Sequence, residues 1–546
     1  MDVISRACAV YCSGSLLHSV QMLQIFNDSK TFVDAPMRHD PEIILDLWQA
    51  VEDKTNRSAV ADFVNQNFDE AGSDLLSWVP VDWSESPPFI AGIHDSEYRE
   101  WASAINSYWK VLGRQLSPTA LSTPERHSFL PRRYPMIVPG GRFRESYYWD
   151  SLWIVQGLLV SGMTTSAKYV IYNLLDDIEN FGFVPNGGRI YYTDRSQPPL
   201  LSEMVMAYLN HVGWAQNAAG RDMLDRAVPL LRKEYSFWMD AEEGTHCVII
   251  GSEKYHLNRY HSSAISPRPE SYMEDVEAAR AVETGAEVEE WPLYPHSESQ
   301  RELYTEIRTG AETGWDFSSR FMRQDQEGGG YSTTNLHPTE VVPVELNSVM
   351  LRFELNMVRL TGEGGWKQRA ERRQHAMDAL MYNAKLHCWN DYNLTSSSPV
   401  SRGEGSASVS NYVPLWAGLG GSQSCETVVR SVKQSGLLGR GGVFTTTVES
   451  GQQWDYPNAW APLVALLVEG LDARGSQCEE AIALATRLRQ QWLRTCYEAW
   501  RETGYMYEKY NATAQGQGGG GGEYVPQVGF GWTNGVALSF LARERS

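Results

Sequence analysis

Between residues 344 and 500 the apolar positions recur at helical spacing. Leu346, Met350, Phe353, Met357 and Leu360 follow at intervals of three and four, on one face of a helix stopped by Thr361-Gly362. A second helix is expected from about Trp366 to Leu386 after a short connection. The layout returns with Leu463, Leu466, Leu467 and Leu471, a glycine-containing turn, then Ile482, Ala485, Leu488 and Trp492. Similar runs lie at 150–162, 166–180, 200–212 and 221–239. No alternating strand series or strand–helix–strand spacing competes with them. Helix pairs repeated over this length build either a solenoid or a closed toroid. The pairs carry no fixed period, and their connections are long and unequal, which favours closure. The fold class expected is all-α: an (α/α)6 toroid of twelve helices in inner and outer rings, with long loops at one end building the site.

Residues 1–110 read as two or three helices and a connecting arm. Residues 241–345 read as loop-rich, with Pro267, Pro269, Pro292, Pro295 and the run Gly328-Gly329-Gly330. No linker interrupts the chain. Residues 1–546 are therefore expected to form one domain, with residues 1–110 as a helical extension packed on it.

Charge narrows the partners. Forty-seven Lys+Arg against 67 Asp+Glu leave a net −20, which disfavours a phosphate backbone, so no nucleic acid is expected. No stretch approaches the roughly 18 apolar residues of a membrane helix. Met1-Asp2-Val3 lacks a signal-peptide start and Arg543-Glu544-Arg545-Ser546 is no lipid anchor. The expectation is a cytoplasmic chain, or a secreted one if an N-terminal signal is missing. The oligomeric state is open, with a monomer as the default. Of the 7 cysteines only Cys8 and Cys12 are near neighbours, and a disulfide or two free thiols are both open there. Glycosylation sequons stand at Asn27, Asn56, Asn393 and Asn511, of which a couple are expected by chance. The 19 Trp and 27 Tyr suit a ligand with flat, weakly apolar faces, such as a sugar.

Polar, charged and aromatic residues crowd together with Gly or Pro in six segments. They are Pro139–Asp150; Pro185-Asn186-Gly187-Gly188-Arg189 continuing to Asp194–Pro199; Pro267–Ser271; Glu312–Arg320; Gln452–Pro462; and Tyr507–Tyr510 through Gly518–Gly522 to Asn534. Trp-Asp occurs at 149–150, 315–316 and 454–455. A pyranose needs an indole face for its C–H surface and a carboxylate for its hydroxyls. Hydrolysing a glycosidic bond needs two carboxyls, one protonated and one ionised. A single Asp or Glu here is more often a helix cap or an ion-pair partner, but packing gives no reason for the whole constellation. The glycine run is no phosphate cradle, since no Gly-Lys-Ser/Thr follows it. The 12 His lack metal-ligand spacing, so neither metal nor cofactor is expected. Arg144 and Arg189 read as scaffold ion-pair partners, and Trp366, Trp389, Trp492 and Trp500 as core in helical runs.

These segments resemble those of the trehalase family, glycoside hydrolase family 37. Its two signature stretches are matched by Pro139–Asp150 and Gln453–Pro462, and similarity runs from about Leu17 to Leu541. Asn27–Asp34 resembles the N-terminal region of animal-type members. The resemblance implies an (α/α)6 toroid that hydrolyses α,α-trehalose with inversion and without a metal. It implies that Asp316 is the general acid and Glu508 the general base. It maps substrate-contacting arginines to Arg142, Arg195 and Arg268. Other sugar contacts map to Phe143, Trp149, Asp150, Asn186, Gln197, Glu270, Gly314 and Trp454, with Asp455 a weaker candidate. The glycine run with Glu523-Tyr524 resembles a mobile lid. Two departures occur: Phe321 and Trp153 replace the aromatics usual at those positions. Two rivals remain open, a toroidal glucosidase acting on a longer α-glucoside and a trehalose-binding protein that has lost catalysis. Without the resemblance, Glu508 and Glu523 are joint candidates for the base. The acid should be kept protonated near neutral pH by burial beside Trp315 or a nearby carboxylate.

Overall fold

The computed structural model describes residues 3–240, 245–282, 297–324, 330–400, 406–420, 424–475 and 478–544. Pro292, Pro295, Gly328 and Gly329 lie outside the described residues. Six helices form an inner ring: Asp150–Val160, Leu201–Val212, Val344–Thr361, Val413–Trp416, Ala461–Asp472 and Gly531–Arg543. Each packs on the next, and the last returns to the first, which closes the ring. Ser96–Leu112, Thr164–Phe181, Ala218–Met239, Gly364–Leu380, Cys425–Gln434 and Glu479–Thr503 lie outside them. The expected all-α toroid is thus the observed architecture.

Side-chain pattern decides which ring a helix joins. Ala461–Asp472 is apolar nearly all round and buries ten of its 12 residues. Gly364–Leu380 buries five of 17 and, apart from Arg373, turns its charged positions to solvent. A helix apolar on every side must be enclosed, whereas a stripe suffices for one that packs on a single face. Gly182, Gly362 and Gly504 end outer and inner helices in the left-handed conformation, with φ of 88°, 72° and 78°. Closure depends on two other glycines. A Cβ on Gly535 would stand 2.0 Å from the Trp153 carbonyl oxygen, and one on Gly157 would stand 2.6 Å from Gly535 Cα. Only glycine lets the first and last inner helices approach that closely.

The structure differs from the expectations in several places. The helix expected over 366–386 ends at Leu380, and the chain turns into a hairpin pairing Tyr382–Asn383 with Cys388–Trp389. Trp389 is therefore core on a strand rather than on a helix, while Trp500 is only partly buried. The 241–345 stretch holds more than loops: a hairpin of Cys247–Ile250 with Tyr255–Asn258, and helices Tyr272–Val282 and Glu298–Glu312. Glu298–Glu312 escapes an apolar-period reading because part of its buried face is polar, including Gln300, Arg308 and Glu312.

Residues 3–110 form seven helices rather than two or three. Several are too short to carry more than a turn or two of pattern; Ser29–Val33 has 5 residues, with Asp28 as its N-cap. Tyr11, Leu17, Phe32, Trp48 and Phe63 build a satellite core there, which continues into Tyr147, Ile190 and Tyr192 of the loops above the ring. A second disulfide, Cys425–Cys478, joins Cys8–Cys12. Among the described residues no helix is long and apolar enough to cross a membrane.

Candidate active site

The N-terminal ends of three inner helices, those beginning at Asp150, Ala461 and Gly531, converge on one small cavity of about 80 Å³. Phe143, Trp149, Asp150, Asn186, Arg195, Gln197, Arg268, Glu270, Gly314, Asp316, Trp454, Glu508 and Glu523 all line it. Residues from six distant segments thus meet in one place. Arg142 is the exception, since its guanidinium turns to Asp28 with two bonds of 2.8 Å.

The loop bearing Asp316 follows helix Glu298–Glu312. Gly314 makes the turn at φ 74°, and a Cβ there would meet the Trp149 indole at 2.9 Å, so the position excludes other residues twice over. The Trp315 amide donates to Thr313 Oγ1 at 2.9 Å, and the Asp316 carbonyl accepts from the Gln453 side chain. The Trp454 amide donates to the Phe317 carbonyl at 3.1 Å. Asp455 is fully buried and anchors the loop: it accepts from Ser318 Oγ at 2.9 Å, the Ser319 amide at 2.6 Å, Thr446 Oγ1 at 2.8 Å and the Ser450 hydroxyl. That makes it a scaffold residue that the cavity does not expose. Beside Asp316, Trp315 and Trp460 both stack on Trp454, with ring centroids 5.6 and 3.8 Å from it. The Asp316 carboxyl opens to the cavity but is otherwise densely enclosed. Its pKa is raised to about 7, chiefly by burial with Glu523 adding to the rise, against the opposing pull of Arg268 and Arg195.

Glu508 sits beside the strand Lys509–Asn511, which pairs antiparallel with Asn458–Trp460. Its Oε1 accepts from the Tyr524 hydroxyl at 2.7 Å and its Oε2 from the Gln527 amide at 3.2 Å. Burial pushes its pKa up, while Lys509, Tyr524, Gln527 and Arg142 oppose the shift. Lys509 donates to Gln453 Oε1 at 2.8 Å and to the Gly521 carbonyl at 2.9 Å; burial brings its ammonium down to about 8, against the pull of Glu508 and Asp316. Gln453 therefore ties the Asp316 loop to the Lys509 strand, and Lys509 in turn reaches the glycine run. Asp150 is held well above the usual carboxylate range by burial, with Glu508 and Asp316 adding to it.

The arginines balance this acidic lining. Arg195 donates to Glu270 at 2.6 Å, and Arg268 donates to Asp275 at 2.6 Å and to Glu523 at 2.9 Å. Glu523 is thus paired with a guanidinium, whereas Glu508 takes neutral donors. Arg189 and Arg144 are scaffold partners as expected: Arg189 is buried against Asp74 and Glu145, and Arg144 lies 3.4 Å from Asp34. Sequence reasoning did not single out Tyr147, Tyr192, Ser271, Ala311, Trp460, Phe530 or Trp532, which also line the cavity. Most lie inside or next to the dense segments, so proximity was the available signal. Among the described residues no cluster of His, Cys, Asp and Glu could hold a metal ion.

A family model described as Trehalase matches residues 24–544. The chain belongs to the trehalase family. It is 37% identical to the trehalase of Bombyx mori over 98% of this chain and 90% of that one. It is 36% identical to the Homo sapiens trehalase, over 98% of this chain and 89% of the other. Among solved structures, the neutral trehalase of Saccharomyces cerevisiae aligns with a TM-score of 0.59 at 26% identity, covering 76% of this chain and 73% of that one. A GH63 mannosylglycerate hydrolase from Thermus thermophilus aligns at TM-score 0.51 and 16% identity, over 80% of this chain and 99% of that one, and shares the fold. Trehalase-family membership and the closed helical ring agree with each other over nearly the whole chain.

Proposed function

We propose that the cavity hydrolyses α,α-trehalose to two glucose molecules by single displacement, with Asp316 as general acid and Glu508 as general base. The observation that carries this reading is the pair of carboxyls in one aromatic-walled cavity, held in different surroundings. Asp316, raised to about 7 by burial, keeps a proton to donate near neutral pH. Glu508 receives donors on both oxygens, which favour its charged form and leave it able to draw a proton from water. Glu523, the other candidate base, is engaged by Arg268, which supports giving that role to Glu508. Trehalose is uncharged, so Arg195 and Arg268 serve as fixed multi-donor groups for hydroxyls while neutralising the carboxylates around them.

Glucose release from trehalose and from maltose would be compared for the wild type, Asp316→Asn and Glu508→Gln. Trehalose should be the preferred substrate, and each variant should lose about a hundredfold or more of kcat. Full activity in either variant would overturn its assigned role. Proton NMR of the first turnover should show one α and one β glucose; two α anomers at early times would exclude inversion.

A further inference from the structure

The geometry points to Tyr524 as the positioning residue of the Glu508 carboxylate, held in turn by Arg142, which Asp28 of the N-terminal extension fixes in place. This rests on the reading of Glu508 as base. The base is then set by a chain of four side chains, Asp28 to Arg142 to Tyr524 to Glu508, drawn from three distant parts of the sequence.

Each link is a defined contact. Asp28 accepts from Arg142 Nε and Nη2 at 2.8 Å each, the two-pronged geometry that fixes a guanidinium plane. The Arg142 guanidinium then lies 4.9 Å from the centre of the Tyr524 ring and 5.4 Å from that of Phe143. Phe143 meets Tyr524 edge-on at 5.3 Å, so the phenol is held from two sides. Its hydroxyl donates to Glu508 Oε1 at 2.7 Å. A second route runs through Gln527, whose side-chain oxygen accepts from the Arg142 amide at 2.8 Å while its own amide donates to Glu508 Oε2 at 3.2 Å. Both oxygens of the base are thus held by residues 524–527, and both holders rest on Arg142. Asp28 is built for this task, because it also caps helix Ser29–Val33 by accepting from the Lys30 amide at 2.9 Å. That helix is locked into the ring loops through Lys30, which bonds Asp34 at 2.6 Å and Glu145 at 2.9 Å in full burial. The N-terminal extension therefore reaches the reacting group without lining the cavity.

The test reads the pH profile of kcat on trehalose. The groups facing Glu508 are Lys509, Tyr524 and Arg142, with Asp150 and Asp316 acting across the cavity. Tyr524→Phe removes a donor to the charged form, so the acid limb should move to higher pH by about one unit, and kcat should fall about tenfold. The thermal midpoint should stay near that of the wild type. Asp28→Asn keeps the helix cap, because asparagine caps as well as aspartate, and should shift the acid limb the same way by less. The double variant should move the limb by less than the sum of the two single shifts, as members of one chain are not additive, with any excess over Tyr524→Phe carried by Gln527. An unmoved acid limb in Tyr524→Phe would overturn the proposal; an unmoved limb in Asp28→Asn, or additive effects, would overturn the chain. A wild type unable to hydrolyse trehalose would instead sink the reading of the site, and is seen before any variant is compared.

Discussion

The two carboxyl groups of the site are held in opposite ways. Asp316 rides on a loop whose other residues from 311 to 320 are all buried, clamped by Asp455 and backed by stacked indoles. The residues that hold Glu508 come from a stretch, 515–529, of mostly exposed or half-exposed positions, with Val525 79% exposed. Asp316, the proposed acid, is therefore enclosed by the buried core, and the grip on Glu508, the proposed base, lies in a solvent-facing segment. An enzyme that encloses its substrate needs both: a fixed proton donor, and a cover whose closure completes the second catalytic group and excludes water.

Breaking the rigid half should have the largest effect. Asp455→Ala strips the acceptor from Ser318, Ser319, Thr446 and Ser450 at once and leaves buried donors unpaired. A loss of about 3 kcal/mol and at least about a hundredfold of kcat is expected, checked by denaturant unfolding and initial rates. A near-wild-type rate would mean that the acid loop holds itself.

The pH profile sharpens the contrast. If Asp316 is the proposed general acid it acts protonated, so kcat should fall as pH rises through about 7. If Glu508 is the proposed base it acts ionised, so activity should also fall at the acid end, on a limb above the usual glutamate value of about 4.3 because burial raises it. A profile still rising well above pH 7 would separate Asp316 from the basic limb.

The smallest effects belong to the glycine run. A Cβ on Gly520 meets nothing within 4 Å, so Gly520→Ala should change stability by less than about 1 kcal/mol and kcat by a few-fold. Gly521→Ala should do more, since φ is 76° and the Cβ would approach the Gly451 carbonyl oxygen to 2.9 Å. Equal effects at both positions would argue against the contact geometry seen at Gly521.

The ring helices between Asp150 and Met239, between Val344 and Leu380 and between Ala461 and Thr503 were legible because their apolar positions recur at helical spacing, as in Leu346–Leu360, whereas Val413–Trp416, Cys425–Gln434 and Gly531–Arg543 were not read. Glu298–Glu312, which delivers Asp316, was not, because it buries Arg308 and Glu312 against polar partners rather than apolar ones. The disulfide Cys425–Cys478 spans 53 residues, and no local spacing marks it. Phe321 and Trp153, the two departures from the family pattern, are both buried at 2% exposure or less and keep an aromatic in place.

Local chemistry in the sequence determined the helical class and the dense segments, and the family resemblance of the Gly314-Trp315-Asp316 stretch pointed to the candidate acid. Tertiary structure decided what separates Glu508 from Glu523. Both are glutamates beside a glycine run, and only the fold pairs one with Arg268 and sets the other under Tyr524 and Gln527. It also decided the place of Arg142, turned from the cavity lining toward Asp28. A carboxylate's role depends on which charges and donors surround it after folding, and those partners come from segments hundreds of residues apart.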